Sequence, residues 1–313
     1  MLDITTIILT YNEEIHIRRC LENVCRFSKK VIVVDSPSTD RTRKIVEEFH
    51  LSNPLNSSTD IEFVVHKYPG NQAEQFNWAL DNCKIETEWI LRLDADEYLT
   101  PELIEELEEK LPKLPKEVTA CVLPLGRAFM GRVLKHGIVN GIKMIRLFRK
   151  GKARYEVRMM DECLKTIEGE TVTMQNKFVD DSRISISQFI SKHNNYSSRE
   201  AFVLLDAEYG LSEQQDEMAF AKETADKRAQ KAKYARMPLF VRALAYFIYR
   251  YIVKLGFLDG KEGFCWDFFQ GLWYRMLVDA KVYEAKRHCG GDKAKLIDYI
   301  QRNWGIKITQ DQK

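Results

Sequence analysis

The chain reads as an α/β protein of Rossmann-like type, a mostly parallel central sheet flanked by helices, carrying a helical C-terminal extension. Three observations predict this. Short apolar runs alternate with helical patterns from Asp3 to about Leu125, polar residues stand just after the first runs, and the pattern after Ser185 is almost entirely helical. With 313 residues, 45% apolar and 30% charged, the chain can bury a proper core and is not disordered. A formal net charge of +2 gives no reason to expect a nucleic-acid partner.

Taken in order, the runs are Ile4 to Leu9, Val31 to Val34, Ile61 to Val65, Trp89 to Leu93 and Ala120 to Leu123. The first three are rich in β-branched residues, as strands buried on both faces are. Helices are expected to begin near Asn12, Thr39, Asn71 and Pro101, where capping residues or Pro stand at the entry. Strand C-termini then face one crevice, which is where open α/β sheets hold their ligands. Lys143 to Arg149 reads as one more strand and Tyr155 to Leu164 as a loop or short strand. The expected division is residues 1–184 as a catalytic unit and 185–313 as a helical extension.

The strongest chemical feature is Leu91-Arg-Leu-Asp-Ala-Asp-Glu97 at the end of the fourth run. In extended chain Asp94 and Asp96 point to one side and can share a divalent cation through hard oxygen ligands, for which Mg²⁺ or Mn²⁺ is suited. A lone Asp-x-Asp is more often a solvated acidic turn, and its place after a strand is what changes the odds. Thr10-Tyr11-Asn12-Glu13-Glu14 follows the first run and offers a ring face for a base and donors for phosphate oxygens. Val34-Asp35-Ser36-Pro37-Ser38-Thr39-Asp40 follows the second, with Asp35 placed to accept from a base imide or ribose hydroxyl and Ser38 to Asp40 able to cap the next helix.

Together these three turns resemble the family 2 glycosyltransferases of GT-A fold, in order and approximate spacing, over Ile4 to about Thr100. The resemblance implies a UDP-type nucleotide contacted by Thr10, Tyr11, Glu13 and Asp35, with Ser36 and Ala95 in the same set, Asp94 near the ribose and Asp96 on the metal. Many members read Asp-Asp-Gly-Ser where this chain has Asp35-Ser36-Pro37-Ser38, and carry Lys or Arg where it has Phe76. A narrower resemblance, to the lipopolysaccharide-core and capsule glucosyltransferase type, extends through Ile145-Arg-Leu-Phe-Arg-Lys-Gly-Lys152, Met160-Asp161-Glu162 and Gly256-Phe-Leu-Asp-Gly260. It implies transfer of a glucose-type hexose with inversion, from a UDP-sugar to a lipid-linked or surface-glycan acceptor. Such transfer needs a base to take the acceptor proton, for which Glu162 is the candidate, with Asp161 beside it where the group usually has His. His66, His136 and His193 are read as structural, and Lys192, His193 and Asn195 as a helical face that is solvated or covers acceptor or diphosphate.

Between Lys222 and Lys254 nine basic residues (222, 227, 228, 231, 233, 236, 242, 250, 254) stand against Glu223 and Asp226. They adjoin the apolar, aromatic stretch from Met237 to Leu258, and a second such stretch runs from Phe264 to Val282. Basic residues beside aromatic and aliphatic ones fit a helix in the interface of an anionic bilayer, and also fit helices packed on protein. No run of about 18 uncharged apolar residues occurs, so any membrane contact is expected to be peripheral. Seven singly placed cysteines and no export signal lead to an expected site on the cytoplasmic face of the inner membrane, the oligomeric state staying open. Two other readings stand beside transfer. A sugar-phosphate nucleotidyltransferase would want a Gly-rich basic loop after the first strand, which Tyr11 to Glu14 is not; an inactive nucleotide-binding membrane scaffold would bind without turnover.

Overall fold

In the computed structural model, which describes residues 1–52, 59–139, 141–156, 163–211, 234, 237–306 and 308, the first apolar run is a nine-residue strand, β1 (Leu2–Thr10). It lies between β2 (Ser28–Asp35) and β4 (Trp89–Asp94), and β3 (Asp60–Val65) lies outside β2; all four are parallel. Beyond β4 come β8 (Lys143–Arg149) and the long β6 (Val118–Phe129), each antiparallel to its inner neighbour. The sheet closes with β12 (Phe178–Asp180) and β5 (Glu97–Leu99), so the order is β3-β2-β1-β4-β8-β6-β12-β5. Two short strands, β7 (Arg132–Leu134) and β11 (Glu170–Thr173), also pair with β6, and β9 (Ala153–Tyr155) with β10 (Leu164–Thr166) forms a separate antiparallel pair.

The central strands are buried on both faces, as their largely apolar runs lead one to expect. On one side Ile4, Ile8 and Leu91 pack with α1 (Ile17–Val24) and α4 (Pro101–Lys110) through Leu21, Val24, Leu103 and Leu107. On the other side Ile7, Ile32 and Val34 pack with Phe76 and Ala79 of α3 (Gln72–Asn82) and with Phe148. The expected caps are seen on α3, where Asn71 accepts from two backbone amides, and on α4, where Thr100 caps and Pro101 opens the helix. The helix expected near Asn12 begins five residues later: Asn12 sits in the left-handed region (φ 57°) and a turn from Glu13 to His16 intervenes. The next helix, α2 (Thr42–Ser52), has no acid in its first turn.

The contact pattern divides the chain into two units, Met1–Ile184 and Ser185–Lys313. In the second, α5 (Ile186–Tyr209) starts at a Ser185/Gln188 capping box and stops at Gly210, whose φ of 60° suits a residue without Cβ. The helix α6 (Val241–Ile248) runs on through a wider turn, Tyr249–Val253; α7 (Gly260–Trp266) runs through Asp267–Trp273 into α8 (Tyr274–Cys289), followed by α9 (Lys293–Trp304). Ala201, Phe202 and Leu205 of α5 meet Val278, Val282 and Ala285 of α8 in its core, with Leu296 and Ile300 of α9.

Two of the basic residues read as lipid-facing are not on the surface. Arg242 pairs with Asp279 and Arg250 with Asp267, all four nearly fully buried. Their partners lie 37 and 17 residues away, too far for helical spacing to reveal them. Of the second apolar stretch, Trp266, Tyr274, Val278 and Val282 are buried. Among the described residues no helix is long and apolar enough to cross a membrane.

Candidate active site at the strand ends

Parallel pairing brings the first three motifs to one edge. Asp35 stands opposite Thr10, and Asp94 opposite Leu9 on the other side of β1. At about 4.8 Å per strand, Asp35 and Asp94 are about 10 Å apart across the crevice floor.

On the β2 side Thr10 Oγ1 donates to Asp35 Oδ1 at 2.8 Å, Ser38 Oγ donates to the same oxygen at 2.6 Å, and Ser38 N donates to Oδ2 at 2.8 Å. Three of about four acceptor positions are thus taken, and one remains for a ligand donor. The buried Ser36 gives its backbone N–H to Thr10 O and accepts from Gln75 Nε2. Gln75, also buried, accepts from His66 Nδ1 at 2.7 Å, and the His66 ring stacks on Trp78 at 3.8 Å. The Tyr11 ring, 61% exposed, stays open as a stacking face.

The amides after β1 are not free for phosphate. Asn12 N donates to Ser38 Oγ, Glu13 N to Thr42 Oγ1 and Glu14 N to Asp40 Oδ2, while Thr39 N donates back to Asn12 Oδ1. The two loops are stitched to each other. Glu13 is likewise engaged: because Arg183 N donates to His16 Nε2, that nitrogen is the bare one, and Nδ1–H donates to the Glu13 carboxylate at 2.6 Å. Expected phosphate donors at the helix start are therefore spent on loop structure.

On the β4 side the chain turns at Ala95–Asp96 before β5 begins, so the alternation argument that put both carboxylates on one face of a strand does not apply. Asp94, with its side chain 34% exposed, is held by two buried guanidiniums: Arg92 Nη2 donates to Oδ1 at 3.1 Å and Arg146 Nη2 lies 3.5 Å from Oδ2. Arg146 also donates to Glu97 at 2.6 Å, and Glu97 accepts the Asp94 amide at 2.9 Å. Burial pushes the Glu97 carboxyl up to about 8 against the pull of Arg146, while Asp94 pushes it further. Arg92 stacks over the Tyr155 ring at 4.6 Å and binds its hydroxyl. Arg92 Nε and Arg146 Nε and Nη1 have no acceptor among the described residues, which leaves the floor rich in positive donors.

Asp96 differs. Its carboxylate has no hydrogen-bond or ion-pair partner among the described residues, while its backbone carbonyl is pinned by Asp181 N and Arg19 Nη2, both at 3.0 Å. Ala95 is buried beneath the turn. No group of three or more His, Cys, Asp or Glu that could hold a metal exists among the described residues, so a cation here would need phosphate or water oxygens to complete its shell. An unpartnered hard carboxylate with a second one two residues away fits that requirement. Asp161 and Glu162 lie outside the described residues.

The sequence reading missed Glu97, Arg92, Arg146, Arg19 and Gln75. Glu97 directly follows Asp94-Ala-Asp96 in sequence, which was its one signal; Arg146 comes from a strand 49 residues on.

Residues 5–160 match the family model described as glycosyl transferase family 2. A lipopolysaccharide core biosynthesis glycosyltransferase, LpsC, of Rhizobium meliloti (strain 1021) is 29% identical over 156 residues, which is 50% of this chain and 54% of that protein, so the chain spans about half of its length. An uncharacterized glycosyltransferase of Rickettsia typhi is 26% identical over 273 residues, covering 84% of this chain and 81% of the relative. A mannosyltransferase of Pyrobaculum calidifontis, solved with GDP-Man and Mn²⁺, aligns over 90% of this chain and 87% of its own at 15% identity and a TM-score of 0.49. With three ordered turns gathered at the ends of a β3-β2-β1-β4 parallel core and this family match over them, the chain belongs to the family 2 glycosyltransferases and has the GT-A fold.

Proposed function

We propose that the protein transfers a hexosyl residue, of glucose type, from a UDP-sugar to a hydroxyl of a lipid-linked or surface-glycan acceptor, with inversion in a single displacement. The observation that carries this reading is the Asp96 carboxylate: without a hydrogen-bond or ion-pair partner among the described residues, it sits at the strand-end crevice two residues past a carboxylate clamped by two arginines. The amides of residues 12–14 are spent, so they cannot neutralise a diphosphate. Asp96, with Asp94, would instead hold Mg²⁺ or Mn²⁺, which supplies positive charge to the departing diphosphate. Tyr11 stacks on the base, and Asp35 accepts from an imide N–H or a ribose hydroxyl while Thr10 and Ser38 fix its orientation. Glu162, or Asp161 beside it, takes the acceptor proton. The likeness to a lipopolysaccharide core enzyme supports an envelope glycan as acceptor. Seven cysteines without a disulfide fit the reducing, cytoplasmic side of the inner membrane, where such acceptors would be met.

A thermal-shift series with UDP-, GDP- and CDP-sugars tests it, since a ligand that binds only the native state raises the midpoint. A UDP-sugar should stabilise the protein with Mn²⁺ or Mg²⁺ and not with chelator, and Asp96→Asn should remove the metal-dependent part. Stabilisation that ignores metal, or none by any nucleotide sugar, overturns the reading. A Glu162→Gln protein that binds donor normally and keeps full turnover removes Glu162 from the base role.

A further inference from the structure

The segment from Val241 to Leu258 is built inside out. Val241, Leu244, Ile248 and Ile252, at steps of three and four residues, are 47–58% exposed and form one stripe along α6 and its continuation; past a left-handed residue at Leu255 (φ 60°), Leu255 and Leu258 are 45% and 50% exposed as well. The opposite face carries Arg242 and Arg250, the residues that would normally face water, and these are the ones tied inward to Asp279 and Asp267. An ordinary surface helix has the reverse arrangement. Monomeric proteins rarely leave contiguous apolar patches beyond a few hundred Å² bare, and six large half-exposed aliphatic side chains in sequence reach about that scale.

The charge around the stripe indicates what covers it. Lys254 is exposed beside it, over the Tyr249 ring, and exposed Lys261 follows. From Met237 to Leu258 the sequence holds no acid, and Asp259 is buried. In sequence, the ten residues before Met237 hold Lys227, Arg228, Lys231, Lys233 and Arg236 and no acid. A two-fold contact between copies would set the same cations against each other. A partner that is apolar within and anionic at its surface meets both features. We propose that Val241, Leu244, Ile248, Ile252, Leu255 and Leu258 form a face that inserts in the plane of an anionic phospholipid monolayer, with Lys254 at the headgroup level. This goes beyond sugar transfer and is read without any substrate.

The test is flotation of the full chain with phosphatidylglycerol-containing vesicles and with pure phosphatidylcholine vesicles, at low and high salt. The protein should float with the anionic vesicles at low salt; Leu244→Glu with Ile248→Glu should cut the bound fraction at least tenfold at unchanged near-UV circular dichroism. Lys254→Ala should weaken binding by about fivefold, as loss of about 1 kcal/mol does. Since a double variant can misfold, a carbene-generating phospholipid applied to the wild-type protein gives an independent reading and should label 241–258. Failure to float, equal binding to neutral vesicles, binding indifferent to the double variant, label elsewhere, or a vesicle-indifferent dimer that the same variant breaks each overturns the proposal.

Discussion

The two units both bury arginines against carboxylates, and they use the device in opposite senses. In the N-terminal unit Arg92 and Arg146 clamp Asp94 and Glu97, yet among the described residues three of their donor nitrogens are left without acceptors and the Asp96 carboxylate, between the two acids in sequence, without a partner. In that sense the network is open. In the C-terminal unit Asp279 takes Arg242 Nε and Nη2 on one oxygen and Phe240 N on the other, and Asp267 takes Arg250. That network is closed. Gly256 is part of the closure, since a Cβ there would come within 1.9 Å of Asp267 Oδ2. An open buried ion cluster invites a charged ligand, whereas a closed one holds a helix in an orientation that its own hydrophobicity would not choose.

The largest effect that could break this contrast is on catalysis. Asp96→Asn should lower turnover at least about 100-fold, the scale of removing one group that stabilises charge in the transition state. The midpoint of thermal unfolding should stay within about 2 °C, because the Asp96 carboxylate bonds nothing among the described residues. A variant that keeps its activity, or loses its fold, would show that Asp96 is not an open end.

The closed network predicts the converse, a stability effect. Asp267→Ala leaves Arg250 buried and unpaired, and should cost about 3–5 kcal/mol in denaturant unfolding. Gly256→Ala should act in the same direction by forcing the Asp267 side chain away from its place. If either substitution is neutral, the Arg250–Asp267 pair is not what sets the helix.

How much of this could be read from the sequence depends on how far apart the interacting residues lie. Thr10, Asp35 and Asp94 were found because each ends an apolar run, and parallel pairing aligns run ends. The late start of α1 was not found, because it hangs on loop-to-loop bonds such as Asn12 N to Ser38 Oγ across 26 residues. Glu97 with Arg146 and Arg242 with Asp279 pair over 49 and 37 residues, beyond any periodicity. The spacing of Val241, Leu244, Ile248 and Ile252 told which side chains share a face, and only the partners of Arg242 and Arg250 tell that this face looks outward.

A subtler test probes the openness of the first network through pH. Burial raises the Glu97 carboxyl to about 8 from its ordinary 4.5. Between those values the folded protein holds a proton that the unfolded chain has released, so this contribution to stability is fully present below pH 4.5 and is lost as pH rises through 8. The slope for one proton is at most about 1.4 kcal/mol per pH unit. Glu97→Gln, which cannot titrate, should flatten this part of the stability profile measured by denaturant unfolding from pH 5 to 9. An unchanged profile would mean that Glu97 is ionised throughout, and the cluster is closed after all.

The smallest effect sharpens the picture of the loops. Asp40 accepts Thr42 N at 2.9 Å and Thr42 Oγ1 at 2.6 Å, and through Oδ2 it holds Glu14 N at 3.0 Å. Partial burial raises its carboxyl, and these bonds outweigh that and hold it below the ordinary range. Asp40→Ala should cost about 1 kcal/mol, as loss of a helix-capping acceptor does. Because a depressed carboxyl stabilises only when ionised, the difference from wild type should be full near neutrality and fade as pH falls through the folded value. Freed from Asp40, the two loops would hold Tyr11 and Asp35 less firmly, so KM for the donor should rise several-fold with kcat nearly intact. A fall in kcat at unchanged KM would place Asp40 in the chemistry rather than in the stitching of the loops.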